Sequence, residues 1–311
     1  MINVRYSRLL KLGLILCGIT FNTNADENTF SIKEVAPGIY LHRGTNAGFD
    51  DPGHDDIANI GFITGDECVA VVDTGGSVNI GNALHEAIRN ITDKPVCYVI
   101  NTHVHFDHVL GNLAFVSEKP EFVGHVNLPD AIEANRSFFL DNFKNFLGKS
   151  PSEQSIIAPT KTVSDSLSLD LGNRKLTLTA YEKAHTYTDI TVFDHNTKTL
   201  WTGDLVFREH VPVIDGSLKG WLNVIQKLKK LDVALIIPGH GPPAGTWDEA
   251  ISPEEKYLTL LLNETRQAIA EGQFMEDAMD TIGQEEKDKW LLFDEHHKAN
   301  VSRAFTELEW E

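Results

Sequence analysis

Four potential metal ligands, His103, His105, Asp107 and His108, fall within six consecutive residues of the stretch Asn101-Thr102-His103-Val104-His105-Phe106-Asp107-His108. Neutral imidazole and carboxylate suit Zn2+ and similar divalent ions. A loop can turn His103 and His105 toward one ion and Asp107 and His108 toward another. A polar loop that happens to be rich in histidine is the weaker reading. Residues 96–100 (VCYVI) precede the stretch and read as a short buried strand. The ligands therefore stand where a strand gives way to a loop, the end at which α/β sheets keep their chemistry.

Other elements must bring further ligands to that rim. His185 follows predicted strands at 166–171 and 175–181. Asp204 follows a predicted hairpin of 190–195 and 199–201, and His240 follows a predicted strand at 233–237, in Pro238-Gly239-His240-Gly241. Each is expected just after a strand, so seven ligands for two metals can meet along one edge. Asp73 ends the apolar run 68–72, and a helix at 78–90 with Leu84 and Ile88 on one face leads on to 96–100, a β-α-β unit. Asp73 then lies at the same end as His103, either orienting a ligand imidazole or serving turn and cap chemistry.

The rest of the chain reads as scaffold. Short strands are predicted at 32–35, 39–43 and 57–64, and the loop 44–56 is long enough to be a flap over a site. His54 within it reads as a solvated residue. Phe138, Phe139, Phe143 and Phe146 recur at helical spacing within 128–147 and read as core. A helix is predicted at 221–231, and the chain is mostly helical from Pro253. Cys68 and Cys97 read as two buried thiols on neighbouring strands, since bonds between adjacent parallel strands are unusual, although export would permit a disulfide.

Residues 1–25 have a basic start, an apolar core over 12–21 and the small-residue site Thr23-Asn24-Ala25, the three parts of a secretory signal. The apolar core is too short to span a bilayer stably, and Leu16 ahead of Cys17 argues against a lipoprotein. Export to the periplasm is expected, leaving one domain over 26–311, with C-terminal helices from about 253 and no membrane span after cleavage. With 45 acidic against 27 basic residues and a net charge of −18, the surface argues against a nucleic-acid partner, because phosphate binding rests on Lys and Arg.

The ordered set of Asp-Thr-Gly at 73–75, His-x-His-x-Asp-His at 103–108, His185, Gly203-Asp204 and Gly239-His240 resembles the metallo-β-lactamase superfamily over the whole mature chain. The resemblance implies an α/β fold, a four-layer αββα sandwich with two mixed β-sheets and the site at one edge. It implies two Zn2+, the first on His103, His105 and His185, the second on Asp107, His108 and His240, with Asp204 as bridge. An aspartate bridge is similar to the glyoxalase II-like hydrolases. The stretches 204–208 and 211–221, with Asn300-Val301 and 307–311, most resemble quinoprotein relay system zinc metallohydrolases, related to metallohydrolases encoded with sulfur-oxidation genes. That implies a small-molecule substrate and a periplasmic quinoprotein dehydrogenase system as partner. Arg208-Glu209-His210-Val211-Pro212 replaces the Gly-Cys-Gly-Arg-like stretch of glyoxalase II, so glutathione thioesters are disfavoured.

Two close metals would turn a bridging water into hydroxide near neutral pH and polarise a carbonyl, so the expected chemistry is hydrolysis of an ester, thioester or lactam, with Asp107 as general base and proton shuttle. Tyr187, Arg208, His210, Lys219 and Trp221 are the expected substrate contacts. Three rivals stay open. They are a β-lactamase-like activity, a mononuclear iron persulfide dioxygenase-like oxidoreductase, and a binding or relay protein with a structural metal.

Overall fold

Apolar runs alternating with turn residues build two sheets in this computed structural model, which describes Met1 and residues 30–311. The expected signal at 1–25 lies outside the described residues. Among those residues no helix is long and apolar enough to cross a membrane. The first sheet takes β1 (Lys33–Ala36), β2 (Ile39–His42), β3 (Ile60–Thr64) and β4 (Val69–Val72). Helix α1 (Val78–Ile91) then crosses to β5 (Val96–Ile100), followed by the short helix α2 (Phe106–Val109), β6 (Glu121–His125), α3 (Leu128–Asn142) and β7 (Lys161–Val163). Its seven strands lie in chain order, antiparallel up to β4 and parallel beyond.

The second sheet holds β8 (Ser166–Asp170), β9 (Lys175–Ala180), β10 (Ile190–Asp194) and β11 (Thr199–Phe207), and after α4 (Leu218–Leu228) it closes with β12 (Leu235–His240). Only β11 and β12 pair in parallel. Three helices follow: α5 (Trp247–Ala270), α6 (Met275–Thr281) and α7 (Phe293–Leu308).

Burial fixes the layers. Ile63, Val72 and Ile100 of the first sheet share one core with Leu176, Val192, Trp201 and Ile237 of the second, so the sheets pack face to face. Leu84 and Ile88 of α1 cover the outer side of the first sheet with Phe62, Val71 and Val99. Trp221 and Ile225 of α4, Tyr257 and Leu261 of α5 and Val301 of α7 cover the second with Leu200 and Ile236. The result is the expected αββα sandwich of two mixed sheets. β4 reads Val-Ala-Val-Val because both of its faces are buried. Helix α1 starts where Ser77 accepts from Ile80 N (3.1 Å). Ser217 caps α4 likewise, three residues earlier than the apolar pattern alone places that helix.

Four expectations about scaffold elements need correction. The strand predicted at 199–201 runs on to Phe207 with every residue buried, so Asp204 lies inside β11, and His240 is the last residue of β12. Gly203 makes this work: its φ of +51° puts a register irregularity into β11, and a Cβ there would stand 2.6 Å from Thr102. Cys68 and Cys97 are joined in a disulfide with Cα atoms 5.8 Å apart. The pairing shifts between Val69 and Ala70 as β4 meets β5, which brings the two residues side by side. Phe138 is 52% exposed, because only Phe139 and Phe143 of that aromatic series turn into the core beneath α3.

Candidate metal centre

The strand ends converge as the chemistry requires. His103, His105, His185 and Asp204 offer one set of ligand atoms within 4.8 Å of one another, and Asp107, His108 and His240 offer a second. Asp204 faces both sets. Its Oδ2 lies 3.4 Å from His185 Nε2, 3.7 Å from His103 Nε2 and 3.3 Å from His240 Nε2, and its Oδ1 lies 3.1 Å from His108 Nε2. Asp107 Oδ2 stands 3.3 Å from both His108 and His240. Gly239 permits this crowding, for a Cβ there would overlap Asp204 Oδ1.

Each imidazole is aimed by its outer nitrogen. His103 Nδ1 lies 3.1 Å from Thr102 Oγ1, whose own proton goes to Asp73 Oδ2 (2.8 Å), so the imidazole is the donor. His105 presents Nδ1 inward, and its Nε2 lies 3.4 Å from Asp215 Oδ2. His185 Nδ1 donates to Val213 O (2.7 Å), His108 Nδ1 to Asp73 Oδ2 (2.8 Å) and His240 Nδ1 to Ile57 O (3.0 Å). The five inward nitrogens would thereby offer lone pairs to bound cations; without one, His185 Nε2 and His105 Nδ1 stand 3.0 Å apart and share a proton.

The residues fit divalent cations on three grounds. His103 Nε2, His108 Nε2 and Asp204 Oδ1 are buried without any hydrogen-bond partner, a costly state that a cation would relieve. The 3.1 Å approach between the last two lacks hydrogen-bond alignment. Burial drives His103 well below the usual imidazole range and His185 to about 3, keeping both in the neutral, ligating form. Burial opposes the charge on Asp107 and Asp204, yet the attraction of His108 and His240 holds both carboxyls well below their usual value. The same carboxylates overcome burial and raise His240 to about 9. The cluster thus calls for positive charge, which bound cations supply by displacing those protons.

The centre opens into a cavity of about 510 Å³. His210 and Tyr187, two expected contacts, line it. The other three do not. Arg208 turns away to Pro242 O, Pro243 O and Glu249, satisfying carbonyls beyond β12. Lys219 is held at the protein surface by Glu311. Trp221 is fully buried, donates to Leu205 O (3.1 Å) and stands edge-on behind His185 with ring centres 5.2 Å apart, so it braces a ligand. His54 is no solvated loop residue: it lines the cavity and meets Phe146 edge-on at 4.8 Å.

Sequence reasoning missed the residues that support the first set. Asp215 Oδ1 is held by Arg303 of α7 (2.8 Å), and both line the cavity with His296. Buried Asn300 donates to Pro212 O (2.6 Å) and accepts from Ile214 N (2.8 Å), gripping the loop that carries Val213 and Asp215. Asp215 and Asn300 both sit in stretches whose family likeness is visible in the sequence, but a polar residue's partner 85 or more positions away leaves no local signal.

Comparison with known proteins identifies the family. The family model described as Metallo-beta-lactamase superfamily matches residues 54–240. A linear primary-alkylsulfatase of Pseudomonas sp. (strain ATCC 19151) is 26% identical over 245 residues, covering 67% of this chain and 44% of that protein. Among solved structures, a metallo-beta-lactamase from Pontibacter korlensis superposes with a TM-score of 0.60 at 19% identity, covering 74% of this chain and 98% of the other. The stereoselective inverting sec-alkylsulfatase Pisa1 from Pseudomonas sp. gives 0.64 at 16% identity, with 88% and 49% covered. This chain spans less than half the length of the curated alkylsulfatase. With the sandwich, the two ligand sets and a model match over more than half its length, the chain belongs to the metallo-beta-lactamase superfamily.

Proposed function

We propose that this protein is an exported dinuclear zinc hydrolase that cleaves an ester, thioester or lactam. The observation that carries the reading is the pair of ligand sets sharing Asp204, each with its imidazoles aimed from outside. Two bound zinc ions would polarise the scissile group and ease deprotonation of a water between them. His103, His105 and His185 would hold the first ion, Asp107, His108 and His240 the second, and Asp204 would serve both. Asp107 reaches the cavity and has a second carboxylate oxygen free of His108 and His240, which suits it to take up and pass on a proton. The likeness to quinoprotein relay system metallohydrolases supports work in the periplasm beside a quinoprotein dehydrogenase.

A second reading is hydrolysis of an alkyl sulfate, favoured by the named alkylsulfatase relative and by the 88% overlap with Pisa1. The mononuclear iron persulfide dioxygenase-like reading needs only one ion, which leaves the second set without a use. Metal analysis of protein purified without added metal, run beside a turnover screen of carboxylic ester, thioester, cephalosporin and alkyl sulfate reporters, decides among them. Two zinc per chain with turnover is expected, and Asp204→Ala should abolish it. One iron per chain with oxygen uptake would overturn the hydrolase.

A further inference from the structure

The cavity has two unlike walls. On one side stand the metal ligands with His210 and His296; on the other is a continuous aromatic surface. The loop 44–56, closed at its base by Thr45 N donating to Asp56 O (2.8 Å), carries Phe49 and His54 to the cavity. Phe49 meets Phe106 with ring centres 5.9 Å apart, Phe106 stacks on Phe143 at 4.2 Å and 10°, and Phe138 meets Phe143 edge-on at 5.8 Å. Phe106 fills the variable slot of the ligand motif, and Phe138 and Phe143 come from α3 and the turn after it.

Two of these rings stay open to solvent although they face a cavity, Phe49 at 57% and Phe138 at 52% exposure. Exposed rings beside a reactive centre are a surface for something apolar to cover. Charge points the same way. Apart from the metal ligands, the charged residues lining the cavity are Asp215 and Arg303, which neutralise each other at 2.8 Å. Among the described residues no lysine lines it and Arg303 is already paired with Asp215, so a carboxylate-bearing tail laid on the rings would lose its hydration with no unpaired side-chain cation beside it.

We infer that Phe49, Phe106, Phe138 and Phe143 form a specificity site for an uncharged, apolar alkyl or aryl group carried by the substrate, held beside the bond that is cut. This rests on the hydrolase reading for the chemistry and extends it to substrate class. The loop 44–56 and α3 both contribute rings to this wall, and His54 against Phe146 ties them together.

Binding can be read without turnover. The uncharged dye N-phenyl-1-naphthylamine is bound to the full chain and displaced by 1-alkanols from ethanol to octanol, by ω-hydroxycarboxylates of equal length, and by benzyl alcohol against cyclohexylmethanol. Alkanol affinity should rise about fourfold per methylene until the wall is covered, and the carboxylates should compete weakly at every length. Benzyl alcohol bound more tightly than cyclohexylmethanol would assign the site to aryl groups, and the reverse to alkyl. Phe49→Ala and Phe138→Ala, at exposed rings whose loss spares the core, should each weaken octanol about tenfold. A flat chain-length series, or carboxylates binding as well as alkanols, would overturn the inference. Hydrolysis of the matching carboxylic esters, thioesters, lactams and sulfate esters is followed in parallel, so retained binding without turnover of any of them would sink the hydrolase and leave the apolar site standing.

Discussion

The two candidate ligand sets are alike in composition and differ in support. His108 and His240 lean on the first sheet and its approaches: Asp73 at the end of β4, and Ile57 O just before β3. Asp73 is pinned by Thr102 N and Thr102 Oγ1, both 2.8 Å away, and sits at a positive φ of 54° that only such anchoring sustains. His105 and His185 lean instead on Asp215 and Val213, in the loop after β11, and that loop is gripped by Asn300 and Arg303 of α7. The family-matched segment ends at 240, so a helix outside it steadies the loop behind two ligands of the first set, His105 and His185, while His103 leans on Thr102 and Asp73. One set is supported from a sheet, and two ligands of the other from a loop that a distant helix grips.

The largest effect should come where the comparison vanishes. Asp204 serves both sets, so Asp204→Ala should remove both metals and lower kcat/KM by on the order of a thousandfold or more, read by metal content and by turnover on any substrate that the wild type cleaves. Retention of one tightly held ion would show that Asp204 belongs to a single set.

Next come the supports themselves. Asp215→Asn or Asn300→Ala should weaken the first ion by about 10–100-fold while sparing the second. Asp73→Asn should do the converse, with a smaller effect on His103 through Thr102. Chelator competition that resolves two affinities separates the cases. Equal loss of both ions in every variant would mean that the two sets are one cooperative unit, and that the division between sheet and helix has no energetic meaning.

The same division explains what the sequence made legible. His103, His108, His185 and His240 stand at or near strand ends, and period-two apolar runs locate strands. β4 and β5 were readable because both faces are buried and the runs are short and uniform. Asp204 was placed in the right rim but in the wrong element, since Gly203 ends the apparent strand in the sequence while in the fold it only bends it. Arg208, Lys219 and Trp221 lie close to Asp204 in sequence but outside the cavity, which is lined by residues near Asp204 in space: Phe49 and His54 from far upstream, His296 and Arg303 from far downstream. The thiols of Cys68 and Cys97 were misjudged because a register irregularity leaves no trace in composition.

The smallest expected effect tests how α5 meets the same region. Glu254 is fully buried, follows the helix-interior Pro253, accepts only from Phe207 N (3.3 Å) and leaves Oε2 without a partner. Burial, then the negative charge of Asp204, pushes its carboxyl well above the usual range. A raised folded-state value means that the native protein holds this proton more tightly than the unfolded chain does. Its stabilising share is therefore full below the unfolded value near 4.5 and is lost as pH climbs toward the folded value. Glu254→Gln keeps the shape and removes the titration. At pH 4 the two proteins should melt together, and at pH 8 the variant should melt higher, by roughly 2–4 °C for each kcal/mol regained. A variant that melts lower at pH 8 would mean that Glu254 is ionised and paired in the fold, making the helical layer depend on charge as the metal centre does.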